Sequence, residues 1–160
     1  MKCADMQRLP RLLLPAIGVA ILLTAATQAA GPEDGKAAFS LREDTMKRMG
    51  RALYGTIGKV ARGKAEPGPD TIAAAETVIA LAGTVANLFP PGSDVAESRI
   101  KAEIFAAKPR VDTLVQDVAA VAARLAPAAK SGDKGEIARV YQAVNDSCDA
   151  CHREFRKPIE

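Results

Sequence analysis

Beyond Gly35 the apolar residues of this chain recur at steps of three and four, and strict alternation of apolar with polar positions is never sustained. The spacing predicts helices throughout. A first helix carries Met46, Met49, Leu53, Ile57 and Val60 on one face. Ser40 with Glu43 offers a capping box for it, although the stretch could also begin nearer Lys36. Gly63 and the Pro67-Gly68-Pro69 run end it. Asp70 is expected to cap a second helix whose inner face is Ile72, Ala75, Ile79, Ala82 and Ala86, closed by Phe89 before Pro90-Pro91-Gly92. The segment 93–108 is mixed and reads as a loop with one helical turn near 103–105. Pro109 suits the first position of a third helix, with Val111, Leu114, Val118, Val121 and Leu125 as its stripe and Pro127 and Ser131-Gly132 marking its end. Asp133 with Glu136 forms a capping box for a fourth, which carries Ile137, Val140, Tyr141, Val144, Cys148, Cys151 and Phe155 on one broad face. Four amphipathic helices with short or moderate connections predict an all-α fold, an antiparallel four-helix bundle.

The first thirty residues follow a different rule. Lys2, Arg8 and Arg11 precede an apolar run over 12–26, and small residues lead to a cut after Ala29 or Ala30. That is the layout of a cleavable secretory signal peptide. A membrane anchor fits less well, because the run is short for a bilayer span of about 20 residues and Pro15 and Gly18 interrupt it. The expected division is therefore a leader over 1–30 and one helical domain over 31–160, a length that suits a single core. Cleavage removes Cys3, three basic residues and one acidic one, which brings the formal charge from +3 to about +1. No polybasic patch is left to suggest nucleic acid, and no second long apolar run to suggest a membrane-spanning mature form. Export places the chain in the periplasm.

Aromatic residues make up only 4% of the chain, and tryptophan is absent. A bundle core so poor in large side chains has room for a bound apolar group and should be loosely packed without it.

The apolar row of the fourth helix runs into Cys148-Asp149-Ala150-Cys151-His152, and His152 is the sole histidine. C-x-x-C-H is the attachment signature of c-type haem. Two thiols one helical turn apart can each form a thioether with a porphyrin vinyl group, and the next imidazole can bind the iron as proximal ligand. The other uses of the string fare worse. Zinc needs a fourth ligand, and no further Cys or His remains in the mature chain. A thioredoxin-like pair belongs after a strand in a βαβ unit, and a disulfide between helical i and i+3 residues is a poor geometric fit.

With the motif close to the C-terminus of an exported, all-helical chain, the sequence resembles class II cytochrome c, the group of cytochromes c prime and their low-spin relatives. Class I cytochromes carry the motif near the N-terminus. The resemblance extends through Phe155-Arg156-Lys157 after the histidine, through Arg42-Glu43-Asp44-Thr45-Met46-Lys47-Arg48-Met49-Gly50, and through Leu88-Phe89-Pro90 and Glu103-Ile104-Phe105. It implies a left-handed bundle with one haem c on the last helix and the first helix over its distal face. It implies as well that Arg42 pairs with a haem propionate, that Arg156 lies beside the proximal imidazole, and that Phe105 packs near the haem edge. Many members dimerise through their first two helices.

Function then turns on the sixth iron position. With one histidine, a bis-His haem within one chain is excluded. Met46 matches the family's distal position. If its sulfur binds iron, the haem is low-spin and shuttles single electrons between periplasmic redox partners, which is the leading reading. If Met46 only packs over the iron, as helix-face methionines usually do, the site stays open to NO or CO. Met49, one turn on, reads as core. An enzyme such as a peroxidase is disfavoured, because no second histidine is present to move protons on the distal side.

Overall fold

The computed structural model describes residues 32–158, so the leader and its two candidate cleavage points lie outside the described residues. Helices α1 (Pro32–Gly50), α2 (Gly58–Ala61), α3 (Pro69–Ala82), α4 (Lys108–Ala122), α5 (Leu125–Ser131) and α6 (Lys134–Phe155) account for most of them. A π-helical segment, Arg51–Ile57, joins α1 to α2 without a break, and α5 follows α4 after a two-residue turn. These elements make up the four rods of the expected bundle: α1 through α2, α3, α4 with α5, and α6. The core between them is built from Met49, Leu53, Ile57, Val78, Leu114, Val118, Leu125, Ile137, Val140 and Val144, with many alanines.

The first rod starts earlier than the Ser40–Glu43 capping box would place it. Ser40 is exposed within α1, which begins at Pro32. A cap is worth only about 1 kcal/mol, and no helix breaker separates Pro32 from Ser40. The early turns also have a docking partner. A Cβ on Gly35 would stand 2.4 Å from the Gly92 carbonyl oxygen, so only glycine lets α1 seat against the turn at Gly92.

The π-helical segment was not visible in the periodicity, since apolar steps of three and four fit either helix type. Its wider turn appears in the bond from the Gly58 amide to the Leu53 carbonyl, five residues back. Arg62 steadies it, donating from Nη2 to the Tyr54 carbonyl and from Nη1 to the Tyr141 hydroxyl on α6, both at 3.1 Å. The Tyr54 and Tyr141 rings meet edge to face, with centroids 6.3 Å apart. Gly63, at φ +69°, then ends the rod as expected.

In α3 the N-cap is Gly68, with Asp70 in the first turn, because Pro69 fits the first helical position and Thr71 Oγ1 accepts from the Gly68 amide. The buried stripe is Thr71, Ala74, Ala75, Val78 and Ala82, with Ile72 and Ile79 only partly covered at its flank. The expected face is thus turned by about one position. Pro127 does not end the third rod. It lies in the first turn of α5, where no amide is needed, and the rod runs on to Ser131 with Gly132 at φ +70°.

Asp133 caps α6, its Oδ1 accepting from the Gly135 and Glu136 amides at 2.7 and 3.0 Å. The far end of α6 is fastened to the long connection before α4. Ile100 bridges Arg156 in antiparallel fashion, the Lys101 amide donates to the Phe155 carbonyl at 2.9 Å, and the Lys157 amide donates to the Arg99 carbonyl at 2.7 Å.

Candidate cofactor site

Helix α6 buries its apolar row completely at Ile137, Val140 and Val144 and again at Phe155. Between these points, every position over 147–152 is only half covered. That strip contains Cys148, Cys151 and His152, each within the last two turns of a helix held at both ends. The thiols are unbridged. Burial pushes Cys148 up to about 11, with the Asp149 charge adding to the effect, and burial raises Cys151 as well. Burial and then the positive charge of Arg156 lower His152, the Asp149 charge opposes them, and Arg99 adds a smaller lowering. The imidazole is therefore held neutral, with a nitrogen lone pair available to a metal.

Of the remaining residues singled out in the sequence, Met46 and Phe105 are half-buried and pack against the same core as Cys148 and Cys151. Met49 is buried in that core, 6% exposed. Arg156 is exposed at the end of α6, where its charge is felt by His152.

Arg42 is only 5% exposed. Its Nη1 donates to the Leu88 carbonyl at 2.8 Å and Ser93 Oγ at 3.2 Å, and its Nη2 to the Ser93 carbonyl at 2.8 Å and Ser98 Oγ at 2.9 Å. The guanidinium lies over the rings of Phe89 and Phe39, with its carbon 5.5 and 5.9 Å from their centroids. Arg42 thus binds α1 to the connection after α3, using four of its five N–H groups. Burial lowers its proton affinity and Asp94 partly offsets this, but among the described residues no carboxylate lies within ion-pair distance of it.

Tyr54 and Arg99 escaped the sequence reading. Tyr54 follows Met46 and Gly50 at steps of four, a signal that could have flagged it. Its ring meets that of Tyr141 on α6, two turns before Cys148. Arg99 stands in an irregular segment and carries no periodic signal. Its Nη2 donates to the Lys157 carbonyl at 2.7 Å, while its buried Nε has no hydrogen-bond partner.

A half-covered stretch with two thiols and a neutral imidazole, near Arg42 and Arg99 that have no carboxylate partner among the described residues, fits a flat apolar group bearing carboxylates. Comparison with known proteins points the same way. A family model described as Cytochrome C' matches residues 37–156. This chain belongs to the cytochrome c' family. Cytochrome c' of Rhodospirillum rubrum is 29% identical over 151 residues, covering 91% of this chain and 97% of that protein. The crystal structure of cytochrome c' from Thermochromatium tepidum superposes with a TM-score of 0.72 at 27% identity, covering 81% of this chain and 99% of the other. A nitric oxide complex of a cytochrome c prime variant from Alcaligenes xylosoxidans does so with a TM-score of 0.69 at 25% identity, covering 81% and 98%. The chain is accordingly a class II cytochrome c, a four-helix-bundle haem protein carrying covalently bound haem c. Among the described residues no helix is long and apolar enough to cross a membrane.

Proposed function

We propose that this cytochrome binds nitric oxide or carbon monoxide at an iron left open on its distal side. Cys148 and Cys151 would hold the haem through thioethers, with His152 as its iron ligand. Haem c supplies an iron that can accept a diatomic ligand or an electron. The protein supplies the rest. Burial and the nearby arginines keep His152 neutral, the apolar core excludes charged ligands, and Met46, packed against that core, would cover the iron without binding it. The observation that carries this reading is the half-covered strip at 147–152, on a bundle similar to a relative with nitric oxide bound.

Arg42, buried with no carboxylate of the described residues at ion-pair distance, suits a propionate as a nearby positive charge, and Phe105 suits the haem edge. The leader over 1–30 supports a periplasmic location. Leu41, 58% exposed on α1, is an apolar contact open to a second copy of the chain, which supports a homodimer.

The second reading, electron transfer between periplasmic redox proteins with Met46 as distal ligand, draws on the thioether of Met46 lying in the same core as Cys148 and Cys151. The visible spectrum of the purified holoprotein separates the two. A high-spin ferric spectrum and a CO-induced change after reduction support the open site. A methionine–iron charge-transfer band with no response to CO would establish the carrier instead.

A further inference from the structure

We propose that Arg99 is a second anchor for the haem, donating its Nε–H to a propionate carboxylate. The inference rests on the haem attachment argued above and extends it to a residue that the sequence pattern does not mark.

Among the described residues, Arg99 Nε is the buried side-chain polar atom left without a hydrogen-bond partner. A buried N–H of a charged group is rarely left unmatched in a folded protein, so such an atom points to a missing acceptor. The side chain cannot easily swing away to find one. Its Nη2 is held by the Lys157 carbonyl, its own carbonyl is held by the Lys157 amide, and the next residue is bridged to Arg156. This clamp fixes Arg99 against the end of α6, four to five residues past the imidazole of His152.

The missing acceptor is best supplied by an anion. A carboxylate accepts a charge-assisted bond from a guanidinium and neutralises its charge in the same step. No Asp or Glu of the described residues forms an ion pair with Arg99. Arg42, across Ser98, has both terminal nitrogens engaged by the 88–98 segment, whereas Arg99 keeps an inward donor unengaged. A haem attached at Cys148 and Cys151 would supply two carboxylates, one of which Arg99 would hold.

The test is resonance Raman spectroscopy of matured holoprotein, reading the propionate bending mode, together with the reduction potential. Arg99→Met keeps the length of the side chain and removes the donors. The propionate mode is expected to shift toward that of an unbonded carboxylate, and the potential to fall as a cation near the iron is lost. Arg99→Lys keeps the charge, so the potential should stay near that of the parent while the mode still shifts. That variant also serves if the methionine protein does not accumulate. A propionate mode unmoved in either variant overturns the proposal, and shows that Arg99 Nε is satisfied by water. Absence of covalent haem from the parent protein, read from its mass and Soret band, sinks the haem attachment itself. Haem present with an unmoved mode sinks the Arg99 role alone.

Discussion

Arg42 Nη2 donates to Ser98 Oγ at 2.9 Å across 56 positions of sequence, and the same hydroxyl accepts from the Ile100 amide at 3.3 Å. One serine thereby links the first rod to the segment that closes over the end of α6. Arg42→Met fills the space but leaves the Leu88 and Ser93 carbonyls without their donors. Its expected cost is about 2–4 kcal/mol, read from denaturant unfolding of the holoprotein. A loss below about 1 kcal/mol would show that water replaces the guanidinium without penalty.

Gly58 stands where the first rod approaches Tyr141. A Cβ there would lie 2.8 Å from Arg62 Nη1, 3.1 Å from Tyr141 Cε2 and 3.2 Å from the Leu53 carbonyl oxygen. Helix propensity alone favours alanine over glycine by about 1 kcal/mol. The crowding should outweigh that, so Gly58→Ala is expected to lower the thermal midpoint by the equivalent of about 1–2 kcal/mol. A variant more stable than the parent would mean that the π-helical turn relaxes freely.

Tyr54 links the same turn to alkaline stability. Burial, with the Asp149 charge adding to it, pushes its phenol up toward about 12, and Cys148 carries no charge once its sulfur is a thioether. The folded protein holds this proton at pH values where the unfolded chain, at about 10, has released it. The folded state therefore binds more protons between these values, and stability falls as pH rises through that window. Tyr54→Phe should flatten this part of the stability profile and remove a late-ionising phenol from the ultraviolet titration. Unchanged titration curves would show that the phenol is freely hydrated in the holoprotein.

Met46 decides between the two functional readings. If it only packs over the distal face, Met46→Ala leaves the ferric spectrum essentially unaltered and raises CO affinity severalfold by clearing space. Conversion of a low-spin spectrum into a high-spin one would instead identify the sulfur as a ligand.

The features legible in the sequence were those set by local chemistry. Asp133 capping α6, the left-handed glycines at 63 and 132, and the helical turn at 102–105 each follow from a few adjacent residues. The family was legible because one turn of helix contains the whole string from Cys148 to His152. What escaped depends on distant partners. Ser40 could have capped a helix, but the contact of Gly35 with Gly92 extends α1 past it. The π-helical turn relies on Arg62 reaching Tyr141, 79 residues away. Arg99 gains its character from a bridge to residues 58 positions later. A methionine at the distal place suits both roles, so the sequence does not separate an electron carrier from an open site.

The burial that raises Cys148 to about 11 has a bearing on biosynthesis. Thioether formation draws on the thiolate, and burial in the closed bundle disfavours that form at both cysteines. Stitching of pigment to polypeptide is thus easier before the last helix is enclosed than after.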